Sequence, residues 1–424
     1  MECATLASPS TAQLILSVAE SVGGVQCDGQ VSVRLDGVPG WPTRSEGPRA
    51  RHAVRVAAGM LTSDASFTPP FCPNPGCRHH RDPSGWRYAR HGTFVRQARP
   101  RVIRRFRCLH CTRCFSTQTF DTTYFLKRPE LQQPLMDSLT ACSALRQAAR
   151  VLQCHVSTLQ RQAARLGRHC LLFEWSRRPA APPAEPVVLD GFVTFEYSQY
   201  WPFEINSLVG ERSHFVYGFT DSELRRSGRM TAAQKRKRAC LEELHGKPAP
   251  HATRDAVKAL LLLAAPEAAA LCVLSDEHAA YPQAMRRLPH RFDHRTVSSR
   301  RCRTRNNLLF AVDLLDLLIR HGSANHKRET IAFSKRRQGA LERMAVLQAW
   351  RNRMKRVSER KPGSPTPAMK LGLETRPLRP QDILRRRLFP SLVPLPQPLA
   401  RYYWRDVETR QLPSATRHDL RYAA

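Results

Sequence analysis

The chain has 424 residues, with 68 Lys and Arg against 35 Asp and Glu, a formal charge of +33. That length predicts two or three domains, and 42% hydrophobic with 8% aromatic residues excludes wholesale disorder. The longest apolar run, Ala256–Ala265, is interrupted by Lys258 and is too short to span a bilayer, so no membrane partner is expected.

Uncompensated positive charge on this scale repels itself unless a polyanion neutralises it, which makes nucleic acid the expected partner. The 13 cysteines are odd in number and unevenly spread, unlike a secreted disulfide scaffold. Short-spaced cysteine pairs in a basic chain point instead to zinc in a reducing compartment. No basic segment precedes the mildly apolar Ala12–Val18, so a signal peptide is not expected.

Residues 1–59 carry five Arg and five acids, so the whole +33 belongs to residues 60–424. This neutral leading stretch lacks a sustained period and is read as a poorly ordered or accessory extension; Met60 offers an alternative start. Residues 60–128 are Cys- and Arg-rich. Cys72 and Cys77 flank Pro73, Pro75 and Gly76, a sharp turn, and Cys108 and Cys111 follow just before Phe115 and Ser116. Two close pairs of thiolates can meet tetrahedrally around Zn²⁺, which predicts a zinc ribbon. Cys114, His79, His80 and His110 are surplus candidates, and four free core cysteines are the plainer alternative.

Residues 129–178 read as helices. Ala149, Leu152, Val156 and Leu159 are spaced to bury one face of two helices joined by a short turn. With small Ala148 and Ala149 at the crossing, this predicts a helix-turn-helix whose Ser157, Thr158, Gln160 and Arg161 face a DNA groove. A plain helical hairpin has the same pattern, and Gln153 stands where such turns often have glycine. Residues 179–186 form a Pro-rich linker.

Residues 187–360 alternate between strands and helices. Strands are predicted at Val187–Asp190, Phe203–Val209, Phe215–Thr220, Leu271–Leu274 and Thr296–Ser298. Helices are predicted from a Thr231 cap to Gly246, through Ala256–Ala265, and near 307–321 and 338–355. Asp190 and Asp276 end strands, and Glu342 lies in a helix. Carboxylates at adjacent strand ends, with a third from a helix, can bind Mg²⁺ or Mn²⁺ for phosphoryl transfer. Each also has a structural reading: a hairpin turn at Asp190-Gly191, a helix cap at Asp276, a solvated position at Glu342. The Pro- and Arg-rich residues 361–424 are expected to wrap the surface without a core of their own.

A zinc ribbon, a helix-turn-helix, then Asp, Asp and Glu on alternating strands and helices resembles a bacterial insertion-sequence transposase of the DDE type. The resemblance covers roughly residues 70–360. Its most telling stretch is residues 325–337 running into Leu341-Glu342-Arg343, similar to the segment leading into the catalytic Glu helix; residues 306–316 look like the helix before it. The resemblance implies an α/β, RNase H-like catalytic core at 187–360. Asp190 and Asp276 would bridge the metals and Glu342 would complete the shell of one. Glu329 is the other candidate for the third acid; Glu342 is preferred because Leu341, Met344 and Ala345 give its helix an apolar face. Family members often carry an acid after the first Asp, where this chain has Gly191.

The implied activity is metal-dependent cleavage at the ends of a mobile element, then attack of the 3′-hydroxyl on target DNA. Double-stranded DNA would be the partner, a homo-oligomer would form the synaptic complex, and the bacterial cytoplasm at the nucleoid would be the compartment. Four basic clusters, at 225–238, 286–305, 327–337 and 351–355, are expected to form a collar around the acids, with Lys327, Arg328, Lys335 and Arg336 on phosphates. The competing readings are a non-catalytic DNA-binding regulator and a degenerate, inactive transposase copy.

Overall fold

A computed structural model of the protein describes residues 67–298, 300–327 and 330–412; the leading stretch 1–59, Arg328 and Glu329 lie outside them. The Cys- and Arg-rich segment has few aliphatic residues, and it packs instead around aromatic rings. Strands β1 (Tyr88–Val95), β2 (Val102–Cys108) and β3 (Cys114–Ser116) form an antiparallel sheet in that order. Phe106, Phe115 and Phe120 are buried with the cysteines, with Phe67, Phe71, Trp86 and Tyr88 packed against them.

Helices α1 (Gln132–Thr140), α2 (Leu145–Val151) and α3 (Val156–Ser176) follow. Ala148 and Ala149 are buried, which allows α2 to approach α3 closely. Gln153 adopts φ 49° in the turn between them, so this turn has the left-handed residue that glycine usually supplies, at a small steric cost.

Apolar residues on both faces of the next strands require a sheet covered on both sides. Strands β4 (Val187–Phe195), β5 (Pro202–Gly210), β6 (Val216–Glu223), β7 (Ala270–Ser275) and β8 (Arg291–Thr296) form a mixed sheet in the order β6-β5-β4-β7-β8. The pairs β4/β5 and β5/β6 are antiparallel, and β4/β7 and β7/β8 are parallel. The charged sequence of β8 conceals it: Asp293 pairs with Arg295 at 2.6 Å, as exposed edge strands often carry charge, and the strand ends where one was expected to begin.

Helices α4 (Ala232–His245), α5 (Ala252–Ala264), α6 (Ala280–Met285), α7 (Phe310–Gly322) and α8 (Arg337–Ala349) complete the α/β unit. Thr231 caps α4 by accepting from the Gln234 amide at 3.2 Å, and Gly246 at φ 78° closes it, as expected. Val187, Leu189, Leu208 and Val273 pack with Val257, Leu260 and Leu261 of α5 and Tyr281 of α6. The opposite face, with Val188, Phe192, Phe203 and Ile205, belongs to the core shared with α3, α7 and α8. Past Ala349, α8 runs on as one π-helical turn, Trp350–Met354.

The tail does more than wrap. Its Ile383, Leu399, Tyr402, Tyr403 and Val407 belong to the larger core, and Phe389 is buried in the aromatic core of the cysteine unit. The Tyr402 hydroxyl donates to Asp221 Oδ1 at 2.6 Å. Among the described residues, no helix is long and apolar enough to cross a membrane.

Candidate functional sites

The sulfurs of Cys72, Cys77, Cys108 and Cys111 all lie within 4.8 Å of one another. The first turn is held by the Cys77 amide donating to Asn74 O (2.9 Å) and the Gly76 amide to Asn74 Oδ1 (3.3 Å). The second follows the end of β2, where the Trp86 indole N–H donates to Cys108 Sγ at 3.3 Å. Burial opposes ionisation of Cys108, but the Cys111 amide and the indole outweigh it and bring the thiol to about 6. Four soft sulfur ligands in two short turns could hold zinc. The surplus candidates stand apart from this group. Cys114 is exposed. His79 Nδ1 is 3.2 Å from Asp82 O, and His80 lies between Cys72 O and Ser391 Oγ at 2.7 Å each.

Asp190 lies within β4 and Asp276 directly follows β7. These strands are parallel neighbours with Leu189 opposite Ser275, so the two acids occupy the next position of the same register. Alternation along β4 places Asp190 on the side of Val188 and Phe192, which α7 covers. Helix α7 brings two further acids. Its buried stripe includes Val312, Leu315 and Ile319, and Asp316 falls within that stripe, four residues after Val312. Asp316 Oδ1 is buried without a hydrogen-bond partner.

Burial, then the charge of Asp190, pushes the Asp316 carboxyl up to about 8. Burial, reinforced by Asp276 and Asp313, overcomes the Gly191 amide donating at 2.8 Å and raises Asp190 to about 6. Burial also raises Asp313, which pairs with Arg303 at 3.2 Å. Tyr281, buried on α6, has its phenol pushed far up by burial and then by Asp190, Asp276 and Glu204. Asp276 Oδ1 accepts from the His278 amide at 3.0 Å, turning the chain out of the sheet.

Glu204 also explains Gly191. A Cβ at Gly191 would lie 2.7 Å from Glu204 Oε2. The hydroxyls of Ser222 (2.8 Å) and Thr253 (2.6 Å) hold that carboxylate by donating to Oε1. The acid beside the first Asp therefore comes from the adjacent strand.

The structure does not bring Glu342 to this group. Its Oε1 lies 2.9 Å from Arg405 Nε and 3.1 Å from Gln338 Nε2. A Cβ added at Gly167 of α3 would lie 2.4 Å from the Glu342 carbonyl oxygen. The apolar face of α8 does dock, but Glu342 is part of its contact with α3. Sequence reasoning passed over Asp313, Asp316, Glu204 and Tyr281. An acid set within the apolar stripe of residues 312–319 was the signal for Asp316.

Among the described residues, only the four cysteines place three or more metal-type ligand atoms within 4.8 Å. The carboxylates shift one another's protonation without closing to that distance. Their chemistry nonetheless suits a hard divalent cation: oxygen donors, excess negative charge and an orphaned buried carboxylate oxygen.

Of the expected DNA contacts, Gln160 and Arg161 are exposed, while Ser157 and Thr158 are half-buried in the first turn of α3. The Ser157 hydroxyl is 2.7 Å from His155 Nδ1, the nitrogen that caps the helix. Lys327 and Lys335 are exposed and Arg336 half-buried. The 351–355 cluster was expected in the collar but is largely internal. Arg351 and Arg353 are buried, and Arg353 pairs with Glu174 (3.0 Å) and Glu374 (2.9 Å). Arg303, by contrast, is exposed at the rim of the acid group.

No family model matches the chain, and no curated protein matches it in sequence. A chain from the "CryoEM structure of simian T-cell lymphotropic virus intasome in complex with PP2A regulatory subunit B56 gamma" aligns at 14% identity with a TM-score of 0.22. The alignment covers 62% of this chain and 75% of that one. A score that low establishes no shared fold.

Proposed function

We propose that the protein is a DNA strand-transfer enzyme of the insertion-sequence transposase kind, with Asp190, Asp276 and Asp316 as its three acids. The observation that carries this reading is the arrival of Asp190 and Asp276 at adjacent positions of parallel strands, beside a half-buried Asp316 whose buried Oδ1 lacks a partner. The strand order β6-β5-β4-β7-β8, with β4, β5 and β6 mutually antiparallel neighbours and β7 and β8 parallel to β4, supports an RNase H-like core. Asp316 takes the place that the sequence assigned to Glu342. Asp313, paired with Arg303, lies beside it.

Asp190 and Asp276 would hold Mg²⁺ together with Asp316, and Glu204 would add negative charge behind Asp190. Bound Mg²⁺ would lower the pKa of an attacking water or 3′-hydroxyl and neutralise the phosphate. Arg303 and the neighbouring exposed arginines of 300–305 would draw the DNA backbone toward the acids. Gln160 and Arg161 would contact the element end, with Lys327, Arg328, Lys335 and Arg336 on its backbone. Synapsis of two ends would require a homo-oligomer, acting in the bacterial cytoplasm.

The test is Asp→Asn at 190, 276 and 316, one at a time, in the full chain. Nicking and strand transfer are measured on duplexes carrying the ends that flank the gene. Each substitution should lower cleavage by at least about 10²-fold while DNA binding survives. Undiminished cleavage in Asp276→Asn would overturn the acid site; undiminished cleavage in Asp316→Asn alone would return the third position to another residue.

A further inference from the structure

The sheet that carries the cysteines has an edge strand with little covering it. Every residue of β1 after Tyr88 is exposed, and Phe94 and Val95 of β1 and Val102 of β2 remain open to solvent around the hairpin. Burial in the aromatic core accounts for the root of this hairpin, not for its far end.

Charge distinguishes this segment further. Between Asp82 and Asp121 the sequence has no acid, and it has nine arginines. One of these, Arg96, maintains the turn: its Nε donates to Pro100 O at 2.9 Å and its Nη2 to Arg99 O at 2.6 Å, while Nη1 reaches Gln118. The hairpin end is thereby tied to the body of the unit. Arg90, Arg99 and Arg101 are exposed, in a stretch with no carboxylate to pair with them.

We propose that the β1–β2 hairpin is a DNA-docking arm, a two-stranded ribbon that enters the major groove of duplex DNA. A groove about 12 Å wide admits such a ribbon. Arg90, Arg99 and Arg101 contact the phosphates along its walls, and Val95 and Val102, opposite each other across the hairpin and both exposed, offer apolar contact to thymine methyl groups on its floor. Duplex DNA is the occupant because an exposed, arginine-rich hairpin from a segment without acids complements a polyanion. The proposal shares its partner with the function above but makes no use of the acids.

The experiment measures binding of the full chain to a labelled duplex DNA by fluorescence anisotropy across a salt series, in EDTA-free buffer without Mg²⁺. Failure of the acid site therefore cannot alter the result. Each lost phosphate contact flattens the slope of log affinity against log salt by about 0.9. The triple variant R90A/R99A/R101A should flatten it by roughly two to three units. R90K/R99K/R101K, which keeps the charge, should retain the parental slope and so separates charge loss from misfolding. An alanine triple with the parental slope overturns the proposal. So does a lysine triple as flat as the alanine one. The same series on duplex RNA, whose deep narrow major groove excludes a ribbon, should show no difference between parent and triple. Equal flattening on RNA would overturn insertion into the groove.

Discussion

Asp316 is the residue on which the proposed acid site turns. A carboxyl raised to about 8 is protonated at neutral pH while the site lacks a cation. Its value and that of Asp190, about 6, both lie above an ordinary carboxyl near 4. The folded chain therefore retains protons that the unfolded chain releases. This stabilising contribution is complete below about pH 4 and is lost as pH rises through about 6 and 8. Without divalent cations, the melting temperature should fall across that window, and Mg²⁺ at pH 8 should restore it. At a hundredfold excess over its Kd the gain is about 2.7 kcal/mol, a few degrees for a chain of this size. Asp316→Asn should abolish most of both effects in scanning calorimetry. A pH-independent melting curve with no response to Mg²⁺ would contradict the assignment.

Glu342 should behave in the opposite way. Glu342→Gln removes one side of its contact with Arg405, which should lower stability by about 1–3 kcal/mol in denaturant titration and leave cleavage by the folded protein intact. The placement of Asp190 and Asp276 on adjacent strands was legible because each follows a short apolar run, although β4 does not end at Asp190 as expected but runs on to Phe195. Asp316 was not, because an acid inside an apolar stripe interrupts the very pattern that identifies the helix. The stripe on α8 could be read correctly, but periodicity does not say which neighbour a face meets.

At the scale of elements, the contact between α3 and α8 joins the helical segment to the α/β unit. Gly167 makes that approach possible, since its missing Cβ would sit 2.7 Å from the Glu342 Cα as well as against the carbonyl oxygen. Alanine normally favours a helix interior over glycine by about 1 kcal/mol. Here the overlap is with backbone, which cannot rotate away, so Gly167→Ala should destabilise the protein by about 1–3 kcal/mol or more in urea unfolding. A stabilised variant would mean that the two helices lie farther apart. The two close-packed helices were legible in their buried alanines, but the turn was not, since Gln153 stands where glycine is usual and takes the left-handed backbone all the same. The alternating charges of β8 hid its edge strand, since strand patterns are recognised by apolar residues and this one has a single phenylalanine.

At the scale of the whole molecule, Phe389 connects segments far apart in sequence. It meets Phe71 edge-on at 5.3 Å and Phe120 at 5.9 Å, while Arg387 donates to Thr119 O at 3.2 Å. Phe389→Ala should cost about 3–5 kcal/mol of local stability. Zinc bound by the four cysteines should then pass to a chromogenic chelator faster than from the parent, although no cysteine has changed. An unchanged release rate would make the cysteine unit independent of the tail. Composition showed the tail's Pro and Arg but gave no sign of this contact, because Phe389 stands alone between Leu388 and Pro390 without any period to mark it.

The same threading sets a timetable. Strands β1 to β3 are among the first parts of the described chain to leave the ribosome, but the ring that completes their core arrives some three hundred residues later. Tyr402 and Val407 reach the larger core later still. A nascent chain can form its local hairpins and helices early, yet it has to wait for the last described segment before either core is closed. Truncation by an early stop codon would thus leave both cores open and yield a poorly folded product rather than a stable fragment.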